Sequence, residues 1–492
     1  MLSSRPVATA PPACSSAHGA RRRTCWVATA AALGVVLGAT GIAIGPAAPF
    51  SARAGAASSS TASSSTCDLS ALSKHKGTVD IDFWESMVTA NAKTLTKLTT
   101  AFNASQSKVH VTLVQQKSYT TTWTKYQAGL SNGELPDLVQ LTAIDLQGAV
   151  DSRSILPVQS CIDAAHYKTS GFIPRVLAAY KLDGTEEAMP FAASGPVLIY
   201  NQLAFEADGI ATPPATLTQL LADAAVLKAH GSGMGLQLAP SYLETWLASA
   251  DNLFVNHTNG RKGRATKVVF DSADNRAIWS DLDKLVSSGD AVTNPATGPD
   301  EYDNLLGIGS GQYAMTIDTT AVLGTVEAVL ASGSYPNVKL GVAPFPVFSS
   351  KVHGGIQVGG SALYISDRKS ALDEAASWDY IAYLDSTASQ ATWSAGTGYV
   401  PIRTASAASA TVRSLWSSDP GYEVAYKQLL SGKSDAATAG AVIGPYTQVR
   451  TDELDAIESV LQGGVSPSAA LASAQKQMDA ALSSYNQRIG SS

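Results

Sequence analysis

Val79-Asp-Ile-Asp-Phe-Trp-Glu85 is followed by Leu95, Leu98 and Phe102, and then by Val109-His-Val-Thr-Leu113. In the first run Val79, Ile81 and Phe83 alternate with Asp80 and Asp82, which is the period of a half-buried strand. The three apolar residues that follow have helical spacing, and Val109, Val111 and Leu113 return to the strand period. After the turn at Gly133 to Asp137, Leu138-Val-Gln-Leu141 reads as a short buried strand. Strand, helix, strand, helix predicts a parallel α/β sheet. Such sheets place ligands at the carboxyl ends of their strands, so Trp84-Glu85-Ser86 and Gln140 to Ala143 are expected at the edge of a pocket.

A second series starts at Pro190. Pro196-Val-Leu-Ile-Tyr200 reads as a buried strand, and Pro213-Pro214 precedes an amphipathic helix through Leu217, Leu220, Leu221 and Leu227. Tyr313 to Ile317 is expected as a strand, with Gly307-Ile-Gly-Ser-Gly311 as the turn before it. Near the end of the chain, Gly463-Gly464 breaks the pattern, Ser466 is a good N-cap, and Pro467 suits the first helical position.

The chain has 492 residues, 45 % of them apolar and 15 % charged, with 40 Gly and 22 Pro. This length predicts two to four lobes, each able to bury a core. The composition excludes a long coiled coil and a disordered chain. The formal net charge is −6, and the first 56 residues hold five arginines and no acid, so without them it is −11. An acidic body argues against a nucleic-acid partner, which needs a basic face to displace counterions from phosphates.

Residues 1–54 read as a signal peptide or membrane anchor. Arg21-Arg-Arg23 precede an uncharged stretch from Trp26 to Gly45, and Ala52-Arg-Ala54 supplies a cleavage site. An uncleaved anchor with the arginines inside fits the same apolar run. Residues 55–77 read as an Ala/Ser/Thr-rich tether. Ser64-Ser-Thr-Cys67 lacks the aliphatic residue of a lipobox. Cys14 and Cys25 belong to the leader, which leaves Cys67 and Cys161 in an oxidising compartment, where one intramolecular disulfide is expected.

Hydrolytic and metal chemistry find little support. No serine has both flanking glycines of a nucleophile elbow, and the histidines never pair at metal-ligand spacing. Glu85 and Asp318 are the carboxylates that a glycosidase would use if they faced each other across a cleft. No metal or cofactor is expected.

Several motifs together resemble one family. They are Phe83-Trp-Glu-Ser-Met87 with Ala101-Phe-Asn103, Pro190 to Asn201, Ala314-Met-Thr316, Val358-Gly-Gly-Ser361, Gly396-Thr-Gly-Tyr-Val-Pro401 and Gln448-Val-Arg450. In this order they resemble the extracellular solute-binding proteins of sugar-type ABC importers, most of all the branch that binds glycerol 3-phosphate. The resemblance implies an α/β, two-lobe periplasmic-binding-protein-like fold of type II, with discontinuous lobes and a multi-strand hinge. Lobe 1 is expected at 78–192 and 343–395, and lobe 2 at 193–342 and 396–488. The crossings are expected near Pro190 to Ser194, Leu340 to Pro344 and Ala395 to Tyr399. A monomeric, exported receptor is implied, one that is not an enzyme. It would sit at the outer face of the membrane or be secreted, and would close on a small solute and present it to permease subunits.

The family's pocket positions fall on Tyr119, Ala143, Ser194, Thr319, Gly360, Tyr399 and Arg450. The resemblance implies a phosphate held by the planar fork of Arg450 and the hydroxyls of Ser194 and Thr319, with the backbone of Gly360 approaching closely. The sequence departs from the family at Ala143, where the branch has the glutamate that grips glycerol hydroxyls. Glu85 and Asp318 are the acids expected to compensate, and they leave a neutral mono- or oligosaccharide open as the ligand. Trp84, Tyr242 and Trp246 are candidate aromatic platforms, and core packing is the competing role for Trp246.

Overall fold

The computed structural model describes residues 66–294, 303–351 and 354–490. The signal or anchor expected at 1–54 and the first part of the tether lie outside the described residues. Among the described residues no helix is long and apolar enough to cross a membrane. The tether expected through residue 77 is not a free linker over its last part, which holds a helix and a disulfide-bonded cysteine. A short helix, Leu69–Lys74, begins under the side chain of Asp68, which accepts from the Ser70 N–H at 3.0 Å. Cys67 and Cys161 form a disulfide with their Cα atoms 4.9 Å apart, which ties this N-terminal segment to the helix Val158–Ala165.

The strands, in chain order, are β1 (Val79–Glu85), β2 (Val109–Gln115), β3 (Leu138–Thr142) and β4 (Ile155–Leu156). A small hairpin of β5 (Lys181–Leu182) and β6 (Thr185–Glu186) precedes β7 (Met189–Ser194) and β8 (Pro196–Asn201). Then come β9 (Met234–Gln237), β10 (Ala291–Asn294), β11 (Met315–Thr319), β12 (Leu340–Pro344) and β13 (Gly359–Ser366). One sheet runs β2-β1-β3-β13-β4, with β7 also paired to β13, and the other runs β10-β9-β11-β8-β12. This is a two-lobe α/β fold.

The predicted alternation in β1 is the observed one: Val79, Ile81 and Phe83 are buried, and Asp80 and Asp82 are exposed. Leu95, Leu98 and Phe102 turn the helix Thr89–Ser105 onto the sheet, where Phe102 packs edge-on against Tyr380 at 5.0 Å. Burying each of these side chains contributes about 1.5–3 kcal/mol. Each sheet is mixed rather than wholly parallel. β1 pairs in parallel with β2 and β3, but β13 runs antiparallel to β3. In the other sheet β8 runs antiparallel to both β11 and β12. The reason is connectivity: β13 returns from the other sheet and enters from the opposite end, whereas βαβ crossovers keep strands parallel.

The chain passes between the sheets at Gly195, between β7 and β8, and again between β12 and β13. The crossing expected at Leu340 to Pro344 therefore falls later, because those residues pair with β8 as an edge strand. The Gly307 to Gly311 segment is not simply a turn. Gly307 and Gly309 lie in a helix, Asp303–Gly309, and a Cβ at Gly307 would meet the Tyr313 ring at 2.1 Å. These glycines make room for neighbouring rings, and the strand after them begins two residues later than expected, at Met315.

Candidate functional site

Between the two sheets lies a cavity of about 530 Å³. Tyr119 and Ala143 line it from the first sheet's side. Tyr119 opens the helix Tyr119–Asn132, whose N-cap Ser118 accepts from the Thr121 N–H at 3.1 Å. Its phenol hydrogen-bonds Ser361 Oγ and Tyr399 Oη, each at 3.2 Å. Ala143 starts a 3₁₀ turn directly after β3, and so stands at the carboxyl end of a strand as such sheets require.

From the other side come Asp318 and Thr319, at the end of β11, and Arg450, in the helix Tyr446–Leu461. Ser194 and Gly360 face each other obliquely where β7 meets β13, and Tyr399 follows the helix Thr387–Thr397. Gly360 has φ +99°, and a Cβ there would come within 1.6 Å of the Ala192 carbonyl oxygen. Only glycine fits this strand at this register. Tyr242 also lines the cavity, and its hydroxyl donates to Asp318 Oδ1 at 3.3 Å.

Three expected residues lie elsewhere. Trp84 packs away from the cavity, with the Lys125 ammonium 3.8 Å above its ring. Glu85 is buried, and its Oε2 accepts from the Met87 N–H at 2.6 Å, so the carboxylate folds back onto its own chain while Ser86 and Met87 reach the cavity. Burial raises its pKa to about 7. A glycosidase pair of Glu85 and Asp318 is thus not assembled across this cavity. Trp246 packs on Phe345 at 5.1 Å and donates its Nε1–H to the Pro346 carbonyl, which makes it part of the packing beside the crossing.

Asp145 is a residue that sequence reasoning missed. It lines the same cavity two positions after Ala143, and its Oδ2 accepts from the Thr142 N–H at 3.0 Å and the Thr142 hydroxyl at 2.7 Å. Its signal was local: Thr142 and Asp145 have the spacing of a capping box at the end of a strand. Burial raises both Asp145 and Asp318 to about 6. The unfolded value is near 3.8, so the folded state holds extra protons between about pH 4 and 6, and stability falls as pH rises through that window. Asp145→Asn is expected to flatten part of this slope in thermal melts from pH 4 to 8. An unchanged slope would show that Asp145 does not titrate there.

Arg450 is already engaged. Its Nε and Nη2 donate to the two carboxylate oxygens of Glu244 at 2.8 and 2.7 Å, and Glu244 also accepts from the Tyr446 hydroxyl at 3.2 Å. Glu244 is 1 % exposed, whereas the Arg450 side chain keeps 25 % of its surface open. Burial opposes the arginine's charge, but Glu244 more than offsets this, and the guanidinium pKa is raised. Beside them Glu453 is buried with an unpartnered Oε2, and burial followed by the charge of Glu244 pushes its pKa far above the carboxylate range.

Solved structures share this fold. The GacH receptor of Streptomyces glaucescens, solved unliganded and with acarbose, aligns with TM-score 0.69 and 20 % identity over 83 % of this chain and 99 % of its own. UgpB from Mycobacterium tuberculosis, solved in complex with glycerophosphocholine, aligns with TM-score 0.70 and 20 % identity over 82 % of this chain and 99 % of its own. Among curated relatives, the sn-glycerol-3-phosphate-binding periplasmic protein UgpB of Yersinia pseudotuberculosis is 26 % identical over 83 % of this chain and 93 % of its own. The corresponding protein of Escherichia coli O1:K1 is 25 % identical over 87 % and 97 %. Residues 97–423 match the bacterial extracellular solute-binding protein family, and the chain belongs to it. It is an exported solute-binding protein of the ABC-importer type and not an enzyme.

Proposed function

We propose that this receptor captures a phosphorylated polyol, glycerol 3-phosphate or a glycerophosphodiester, and delivers it to an ABC permease at the outer face of the membrane. The observation that carries the reading is the posture of Arg450. Glu244 holds the Nε–Nη2 edge, and among the described residues Nη1 has no hydrogen-bond acceptor. A guanidinium fixed in this way still offers a second pair of donors to a phosphoryl oxygen pair. Ser194 and Thr319 add hydroxyls, Tyr119 and Tyr399 add phenols, and Gly360 adds close backbone. The names and bound ligands of the glycerophosphate-type relatives support the same reading.

The lobes follow the expected division, 78–192 with 343–395 and 193–342 with 396–488, except that β7 keeps Ser194 with the first sheet and β12 keeps Pro344 with the second, and they close on the solute. Contacts already span the cleft. The Asn91 amide donates to the Ala321 carbonyl at 3.3 Å, and Arg264 forms a bidentate pair with Asp151 at 2.6 and 2.8 Å.

Asp145 and Asp318 favour a second reading, a neutral mono- or oligosaccharide, because carboxylates accept from vicinal hydroxyls. Calorimetry with glycerol 3-phosphate, glycerophosphocholine, glucose and maltose separates the two. A phosphoester is expected to bind while the sugars do not. Sugar binding with no phosphoester heat would transfer the assignment to the second reading.

A further inference from the structure

We propose that Glu244 is a specificity-determining residue, which reserves the site for phosphodiesters by cancelling the charge of Arg450 before any ligand arrives. The inference rests on the phosphoester reading above and narrows it to one substrate class.

Glu244 is 1 % exposed and takes both oxygens into the side-on fork of Arg450, with the Tyr446 hydroxyl as a third donor. Three donors, two of them on the cationic guanidinium, hold the two carboxylate oxygens of Glu244. The pair carries no net charge. Glu453, buried beside the pair with an unpartnered oxygen, brings no positive charge. The other ionisable side chains lining the cavity that bear on an anion are Asp145 and Asp318, both acids. Both lose their protons near pH 6 as pH rises, so at neutral pH the cavity has no positive surplus.

A phosphomonoester carries about −1.5 to −2 charges at neutral pH and a phosphodiester carries one. Both can reach the free edge of Arg450, and the same hydroxyls serve both. What separates them is the second negative charge, which meets Glu244 behind the arginine and the two aspartates around it with nothing to balance it. Charge–charge terms fall off slowly in a sheltered cavity, so this penalty acts without any steric clash. An esterified phosphate avoids the penalty. If its second substituent bears a cation, the aspartates become a favourable neighbour. The class implied is a glycerophosphodiester with a neutral or cationic headgroup.

The test compares glycerol 3-phosphate with glycerophosphocholine by calorimetry at pH 7.5, on the wild type and on Glu244→Gln and Glu244→Asp. The wild type is expected to favour the diester. Glu244→Gln keeps one acceptor for Arg450 but removes the charge, and it should shift the affinity ratio toward the monoester by at least about tenfold. Glu244→Asp keeps the charge and should keep the preference. A residue that only braces Arg450 would weaken both ligands equally in Glu244→Gln, and that result overturns the inference while leaving the phosphoester reading in place. A wild type that binds neither phosphoester overturns both. Should Glu244→Gln fail to unfold cooperatively, the wild type alone decides. Its monoester-to-diester affinity ratio must fall as pH rises from 5 to 8, when the phosphate loses its second proton, and a flat ratio overturns the inference.

Discussion

Replacing Arg450 with methionine is expected to lower the stability of the unliganded protein by about 3–5 kcal/mol and to abolish phosphoester binding. The stability loss arises because Glu244 stays behind: it is 1 % exposed and, among the described residues, would keep only the Tyr446 hydroxyl as a donor. Its neighbour Glu453 already has a buried oxygen without a partner and offers no relief. Glu244 would then either remain as an uncompensated charge or bind a proton, and each costs free energy at neutral pH. Arg450→Lys separates the two effects. It retains the charge but loses the planar fork, and roughly a ten- to hundredfold loss of affinity is expected with a smaller loss of stability. Urea denaturation and calorimetry on both variants check this. A stability loss below about 1 kcal/mol in Arg450→Met would mean that the Arg450–Glu244 pair contributes little to the fold.

Removing the Cys67–Cys161 disulfide should cost about 2–5 kcal/mol. The two cysteines lie 94 positions apart, so the cross-link removes many conformations from the unfolded chain. The enclosed loop contains β1 to β4, four of the strands in the first sheet. In the folded state the bond also holds the helix Leu69–Lys74, which buries no residue fully and leans on the core through Leu69 and Leu72. The double variant Cys67→Ser, Cys161→Ala should shift the urea midpoint downward without changing ligand affinity, since neither residue reaches the cavity. An unchanged midpoint would show that the N-terminal segment is held by its other contacts.

The sequence by itself determined the local elements. Alternation in Val79 to Phe83 defines a strand, the spacing of Leu95, Leu98 and Phe102 defines the helix laid over it, and the count of exported cysteines leaves one pair to join. These are short-range patterns, and solvent exposure enforces them residue by residue. Positions such as Ser194, Gly360, Tyr399 and Arg450 were legible because they lie in motifs that together resemble one family, and they line one cavity.

Only the tertiary structure decided where side chains at the strand ends point and which charges meet. Glu85 stands at the right end of β1 but turns its carboxylate onto the Met87 N–H, whereas Asp145, on a turn after β3, faces the cavity. The partnership of Arg450 with Glu244 joins two helices 206 residues apart in the sequence. Long-range electrostatic pairing leaves no periodic trace in a single chain, because a buried charge is balanced by whichever group the fold brings within hydrogen-bond reach.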